Sequence, residues 1–404
     1  MCSQSRALAI SRAVLATISM ASPLAAQTTP ASPPAATAPG AARTIDLKSP
    51  DGVALKASYF PSGRPGPGIV LLHACNRDRS SWNDLAMAAA ARGFHVLALD
   101  YRGYGQSGGT KSDDPQQQRW IADREWPGDI DAAYAWLTSQ PGVDKTRMGA
   151  AGASCGVDQA VQLARRHPEI RTVVLLSGGL TPNGRGFIRD SAWLPIFGAA
   201  SQGDGGAVET TRWAMGWSRN PTNTFVEYRA AGHGTDMLAV EKELQPQILS
   251  WLETHVRDAP ATRPAATTAG GPTIVEEFWT TLNQPGGVRR ARQLYDEAKS
   301  RDPSVVLFPE AETNQLGYTL LQDGKVEDAV VVFQLNVEGY PRSANACDSL
   351  SDGYLAMGNK EEALKYARKT LEMLDTDPNA TPQLKQLLRE GAETKIKRLQ
   401  ADRN

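Results

Sequence analysis

The pentapeptide Gly152-Ala153-Ser154-Cys155-Gly156 constrains this chain more than any other stretch. It reads G-x-S-x-G. Before it lies Thr146-Arg147-Met148-Gly149-Ala150-Ala151, a short run of small and apolar residues expected to form a buried strand. After it, Val157 to His167 has the spacing of an amphipathic helix. In a strand, sharp turn and helix, such a serine sits on strained backbone and its hydroxyl is pushed out of the sheet. The flanking glycines are needed because a larger side chain would collide as the helix doubles back on the strand. G-x-S-x-G also arises by chance in a glycine-rich chain, and this one holds 36 glycines. The remaining sequence must therefore supply what the serine needs.

At 404 residues the chain is long for one ordinary domain, and two are expected. A net charge of −1 argues against steering to nucleic acid or to an anionic membrane. The hydrophobic content of 41% suffices for real cores, and four cysteines are too few for a disulfide scaffold. Residues 1–26 read as a secretory signal peptide: Arg6 and Arg12 precede the apolar run Ala13 to Met20, and Ala26 is the expected last residue removed. The other reading is an Ala-rich tail. That run is too short to span a membrane, as is every later one. Residues 27–43 are Ala, Pro, Thr and Ser almost throughout and read as a spacer. A second spacer, 258–272, separates a folded part at 44–257 from another at 273–404.

In the first part, Pro50-Asp51-Gly52 between two alternating runs predicts a hairpin. Gly68 to His73 and Phe94 to Asp100 are continuous apolar runs, as expected of strands covered on both faces. Further strands are expected at 172–177, 194–199 and 224–228, with helices at 81–92, 130–137 and 238–256. Strands alternating with helices predict a doubly wound, mainly parallel α/β sheet.

His73-Ala74-Cys75-Asn76 after one strand, the D-x-R-G-x-G-x-S run from Asp100 to Ser107 after the next, and then the serine elbow resemble the α/β-hydrolase fold, with the dienelactone-hydrolase-like group as the most similar branch. The resemblance covers roughly residues 45 to 257. It implies a hydrolytic serine enzyme, and it implies that the block at 100–107 is a structural loop at the mouth of the site.

A serine hydroxyl is a weak nucleophile at neutral pH, so it needs a base, and the base needs an orienting carboxylate. In this fold they follow in the order serine, acid, histidine. Of five histidines, His73 and His95 precede the elbow, His167 ends the elbow helix and His255 falls in the last helix. His233, in Gly232-His233-Gly234, is the expected base. Asp204, in a Gly-rich loop after a strand, is the expected acid. Asp190 is the runner-up, ahead of Asp158, Asp236, Glu209 and Glu227, which lie in the wrong place or pattern. The oxyanion of an acyl transfer needs preorganised donors. One is the backbone N–H of Cys155 at the start of the elbow helix. The resemblance implies a second from the loop after His73, and the N–H of Cys75 is the expected one. The His73 side chain is expected to brace that loop. Spacing places Ser154, not Cys155, at the nucleophile position. A Cys75–Cys155 disulfide requires Cα atoms within about 7 Å; the favoured reading is instead two small buried apolar side chains.

Residues 110–126 are read as a surface loop leading into a helix, with an overhang of the site as the other reading. The segment 180–192 is short for a cap, so an open cleft or small lid is expected.

From Thr273 onward the pattern is helical. Leu316-Gly317, Leu320, Gly324, Ala329 and Phe333 recur at an offset of 34 as Leu350-Ser351, Tyr354, Gly358, Ala363 and Ala367, which resembles tetratricopeptide repeats. Gly324, Gly358, Ala329 and Ala363 are expected to permit close helix packing. The region reads as a protein- or peptide-binding groove or as a stabilising or dimerising appendage. The substrate expected for the first part is a small-molecule ester. No cofactor or metal is implied, since neither ligand spacing nor a phosphate loop is found. A peptidase or amidase with the same triad, and an inactive hydrolase-fold scaffold, are the rivals.

Overall fold

The computed structural model describes residues 41–260 and 271–401. The leader at 1–26 and most of the two spacers lie outside the described residues. Eight strands form one sheet: β1 Arg43–Lys48, β2 Ala54–Phe60, β3 Gly66–Leu72, β4 His95–Leu99, β5 Val143–Ala153, β6 Ile170–Leu176, β7 Ile196–Ser201 and β8 Thr224–Tyr228. Their order is β1-β2-β4-β3-β5-β6-β7-β8. β1 and β2 form the expected antiparallel hairpin, β2 pairs antiparallel with β4, and every other pairing is parallel. β3, β4 and β7 are buried along their whole length, whereas the outer β1 and β8 keep exposed positions. That distribution explains the continuous apolar runs: a central parallel strand is covered on both faces.

Helices α1 Asn83–Ala91, α2 Pro115–Arg124, α3 Trp126–Thr138, α4 Cys155–Arg166, α5 Pro182–Asp190, α6 Ala207–Met215, α7 Met237–Val240 and α8 Leu244–Leu252 connect and cover the strands. The single helix expected over 238–256 is instead broken. Glu241 leaves helical backbone at φ −98°, ψ 97°, and the chain resumes as α8 with Pro246 in its first turn. Proline lacks the N–H that a continuous helix would need there, and its ring would clash with the preceding turn.

The remaining chain is all-helical: α9 Ile274–Leu282, α10 Val288–Arg301, α11 Glu310–Gln322, α12 Val326–Gly339, α13 Ala344–Ala356, α14 Lys360–Met373 and α15 Pro382–Ala401. The first residue of α13 follows that of α11 by 34 positions, as that of α14 follows that of α12. Ala329 and Ala363 are fully buried, as expected. Gly324 and Gly358 are not packing residues: both have positive φ, 76° and 80°, and a Cβ on either would meet nothing within 4 Å. They end helices, where left-handed backbone favours glycine. Close approach falls to Gly317 instead, where a Cβ would sit 2.3 Å from the Phe333 ring.

The helical region shares a core with the sheet. Trp279 of α9 meets Trp213 of α6 edge to face at 5.5 Å, and Arg219 donates to Glu276 at 2.6 Å. Gly216 lies so close to Val275 that a Cβ would approach it to 2.6 Å. One cluster of buried side chains runs from Leu175 and Trp213 through Phe278 to Phe333.

Candidate functional site

Ser154 links β5 to α4 with φ 53° and ψ −119°. Such backbone costs a non-glycine residue of order 1–3 kcal/mol and persists only where its surroundings impose it. They do so tightly. A Cβ on Gly152 would stand 2.0 Å from the Gly156 carbonyl oxygen, and one on Gly156 would stand 2.5 Å from that of Leu72. Ser154 N donates to Leu176 O at 2.8 Å, which ties the turn to β6.

The loop after β8 leans on this elbow: a Cβ on Gly234 would be 3.2 Å from Ala153 Cβ and 3.9 Å from Ser154 N. The neighbouring His233 is thereby held on the loop that packs against the elbow. Its Nδ1 is 2.7 and 2.8 Å from the two carboxylate oxygens of Asp204, at the turn that follows β7. The Asp204 contact raises the imidazole pKa, against a smaller opposing effect of burial. With Nδ1–H committed to Asp204, Nε2 is the atom left to take a proton. The other candidate acids go elsewhere. Asp190 pairs with Arg189, Asp236 with Arg77 and Glu227 with Arg212, while Asp158 accepts from the Thr181 N–H and hydroxyl. The structure thus pairs His233 with Asp204 and packs the residue after His233 against the Ser154 elbow.

His73 is buried and braces its loop as expected. Nδ1 donates to Ala74 O at 2.8 Å, Nε2 accepts from Tyr101 N, and burial lowers its pKa, keeping the ring neutral. The block at 100–107 is also structural. Asp100 accepts from the Arg79 guanidinium, from Arg79 N and from Gln106 N. Arg102 is bonded to Asp51, Glu125 and the fully buried Asp129.

Cys75 and Cys155 are joined by a disulfide, with Cα atoms 5.8 Å apart, so they are not two free apolar side chains. The signal was available. Two N–H groups that donate to one oxygen must themselves lie within a few ångströms, which places their residues at disulfide distance. Among the described residues, neither amide N–H has a backbone acceptor. Both remain available to an incoming anion, that of Cys155 at the positive end of α4.

A cleft of about 630 Å³ opens beside Ser154. Gln118, Arg119, Ala122 and Asp123 of α2 form one wall, so residues 110–126 overhang the site rather than only lead into a helix. Arg185 of α5 lies in the opposite wall, 4.5 Å from the centre of Trp213 and donating to Leu180 O. Burial lowers its pKa. The wall is closed by Glu312 of α11. Sequence reasoning missed this contribution because nothing in a helical pattern says what its first turn will face.

The chain has the α/β-hydrolase fold. Residues 63–200 match the family model described as serine aminopeptidase S33. Among curated proteins, an uncharacterized protein of Mycobacterium tuberculosis is 36% identical over 136 residues, 33% of this chain and 45% of that protein. A thiohydrolase of Arthrinium phaeospermum is 26% identical over 144 residues, 35% of this chain and 45% of its own length. The chain thus spans about half the length of these relatives. Among solved structures, a Pyrococcus furiosus esterase is 18% identical with a TM-score of 0.43, covering 54% of this chain and 91% of its own.

Proposed function

We propose that this chain is an exported serine hydrolase of the dienelactone-hydrolase-like branch, acting on carboxylic esters through an acyl-enzyme. The observation that carries the reading is Ser154 on strained backbone, with the loop of an Asp204-bound histidine packed on its elbow. Ser154 Oγ attacks the ester carbonyl while His233 Nε2 takes its proton. The oxyanion is held by the N–H groups of Cys155 and Cys75, His233 returns the proton to the departing alcohol, and water repeats the cycle on the acyl-serine. Asp204 keeps the ring in the useful tautomer and stabilises the imidazolium. The expected leader and the disulfide together fit an oxidising compartment. The 34-residue helix offset supports a tetratricopeptide-like reading of 273–404, with a protein or peptide as its partner.

The test is labelling by a fluorophosphonate probe together with hydrolysis of a p-nitrophenyl ester. Both are expected in the wild type and neither in Ser154→Ala. Activity that survives Ser154→Ala sinks the assignment, and absence of labelling in the wild type favours an inactive scaffold. The aminopeptidase description of the matching family model supports a second reading, an amidase using the same triad. Paired ester and aminoacyl-amide assays separate the two.

A further inference from the structure

The disulfide has a position that general stabilisation does not require. It joins the two residues whose amides are the expected oxyanion donors, across 80 residues of sequence. The two sides of this pocket are held very differently. Cys155 is fixed from below: Gly152 and Gly156 lock the elbow, and Ser154 N is bonded to β6. Cys75 stands at the start of an exposed stretch, with Asn76 and Arg77 in solvent. Between Ala74 and Arg79, where Asp100 anchors the chain again, its loop is held by the Arg77 N–H to Ala74 O and by an ion pair between Arg77 and Asp236. Exposed ion pairs contribute little. The covalent bond is therefore the strongest restraint on the Cys75 amide between Ala74 and the Arg79 anchor. Cys75 also borders two clefts of about 630 Å³ each, one with Ser154 and one with Asp78, Lys111 and Asp236. It is half-buried, with its side chain against the core and a cleft on either side.

We propose that the Cys75–Cys155 disulfide is a positioning device for the oxyanion pocket, holding the Cys75 N–H at the spacing from the Cys155 N–H that one oxygen atom demands. This rests on the hydrolase reading above. Donors of this kind act only at near-ideal distance, and losing one costs about a hundred- to a thousandfold in turnover. A dithiol supplies two electrons and two protons, the S–S bond becomes two thiols, and the dithiol leaves as a cyclic disulfide. The loop of Cys75 then relaxes while the elbow stays in place. Turnover falls because the transition state loses a donor, and substrate binding in the wall of α2 and α5 changes little.

The experiment uses the full chain in three forms: oxidised, reduced with excess dithiol, and Cys75→Ala/Cys155→Ala. Steady-state kinetics on a neutral p-nitrophenyl ester are read beside far-UV circular dichroism and fluorophosphonate labelling rate. Reduced wild type and the double variant are expected to show kcat lower by about tenfold or more, with KM within about threefold and a folded spectrum. Labelling should slow in parallel. Reoxidation should restore the wild type, and the double variant should ignore both treatments. Unchanged kcat on reduction overturns the proposal. So does a loss of rate that tracks loss of the folded spectrum, since the bond is then a structural staple only. A failure of the hydrolase reading looks different: the oxidised protein itself neither hydrolyses the ester nor takes the label.

Discussion

Asp204 presents both carboxylate oxygens to His233 Nδ1, at 2.7 and 2.8 Å. The contact favours the imidazolium, so the folded-state pKa is raised above the ordinary 6.5. Asp236 adds to this and Arg77 opposes it. The base form predominates only above that raised value. The ascending limb of kcat/KM against pH is therefore expected above 6.5 in the wild type. Asp204→Asn should move the limb down and lower kcat by about 10⁴-fold. The stability consequence has the opposite pH sense. A raised pKa contributes fully below the unfolded value and is lost as pH rises through the folded one. The melting temperature gap between wild type and Asp204→Asn should thus be larger at pH 5.5 than at pH 9. A limb that does not move would show that another group orients the ring.

The elbow glycines make a sharper prediction. In Gly152→Ala the new methyl meets the Gly156 carbonyl, and in Gly156→Ala it meets that of Leu72. Both are backbone atoms that cannot swing aside. Each variant should lose more than about 4 kcal/mol or fail to accumulate as folded protein, which is rare for so small a change. Urea midpoints measure it, with Gly391→Ala as the control, since its Cβ meets nothing within 4 Å.

Arg102 tests the structural loop. Asp129 is fully buried and its carboxylate is bonded by the Arg102 guanidinium. Burial raises the Asp129 pKa despite this partner. Arg102→Ala leaves that carboxylate without its cation and should cost about 3–5 kcal/mol. Arg102→Ala/Asp129→Ala should recover part of the loss. A double variant no better than the single one would contradict the pairing.

Ending the chain before Thr273 should destabilise the part that remains. It uncovers Trp213 and the face of α6 that meets Trp279, with Gly216 beside Val275. Each large aromatic exposed forfeits about 2–3 kcal/mol of burial. The shortened protein should aggregate or bind a hydrophobic dye. A milder change, Glu312→Ala, should keep the fold and the labelling of Ser154 while shifting KM several-fold between cationic and anionic esters, because Glu312 lines the cleft. Equal KM for both substrates in variant and wild type would remove Glu312 from the site.

Much of this was written locally in the chain. Apolar runs of five to seven residues marked strands covered on both faces, and β8 lies at 224–228 as read. The D-x-R-G-x-G-x-S run and the elbow named the fold, and chain order sufficed to pair His233 with Asp204. What local pattern mis-assigned is equally specific. Gly324 and Gly358 have the same small size whether they pack or turn, and only their φ values separate the two roles.

Three features required the folded chain, for one physical reason: each depends on distance between segments that sequence leaves independent. The disulfide joins residues 80 positions apart that meet only because β3 and β5 are neighbours in the sheet. The α2 overhang exists because Asp114 caps a helix that turns back over the elbow. Glu312 reaches the cleft because α9 docks on α6 through Trp279 and Trp213 and so carries α11 to the mouth. Strand periodicity, turn chemistry and motif order are properties of neighbours along the chain, and the sequence by itself determined them. The wall, the clamp and the charge at the entrance belong to neighbours in space, which only packing decides.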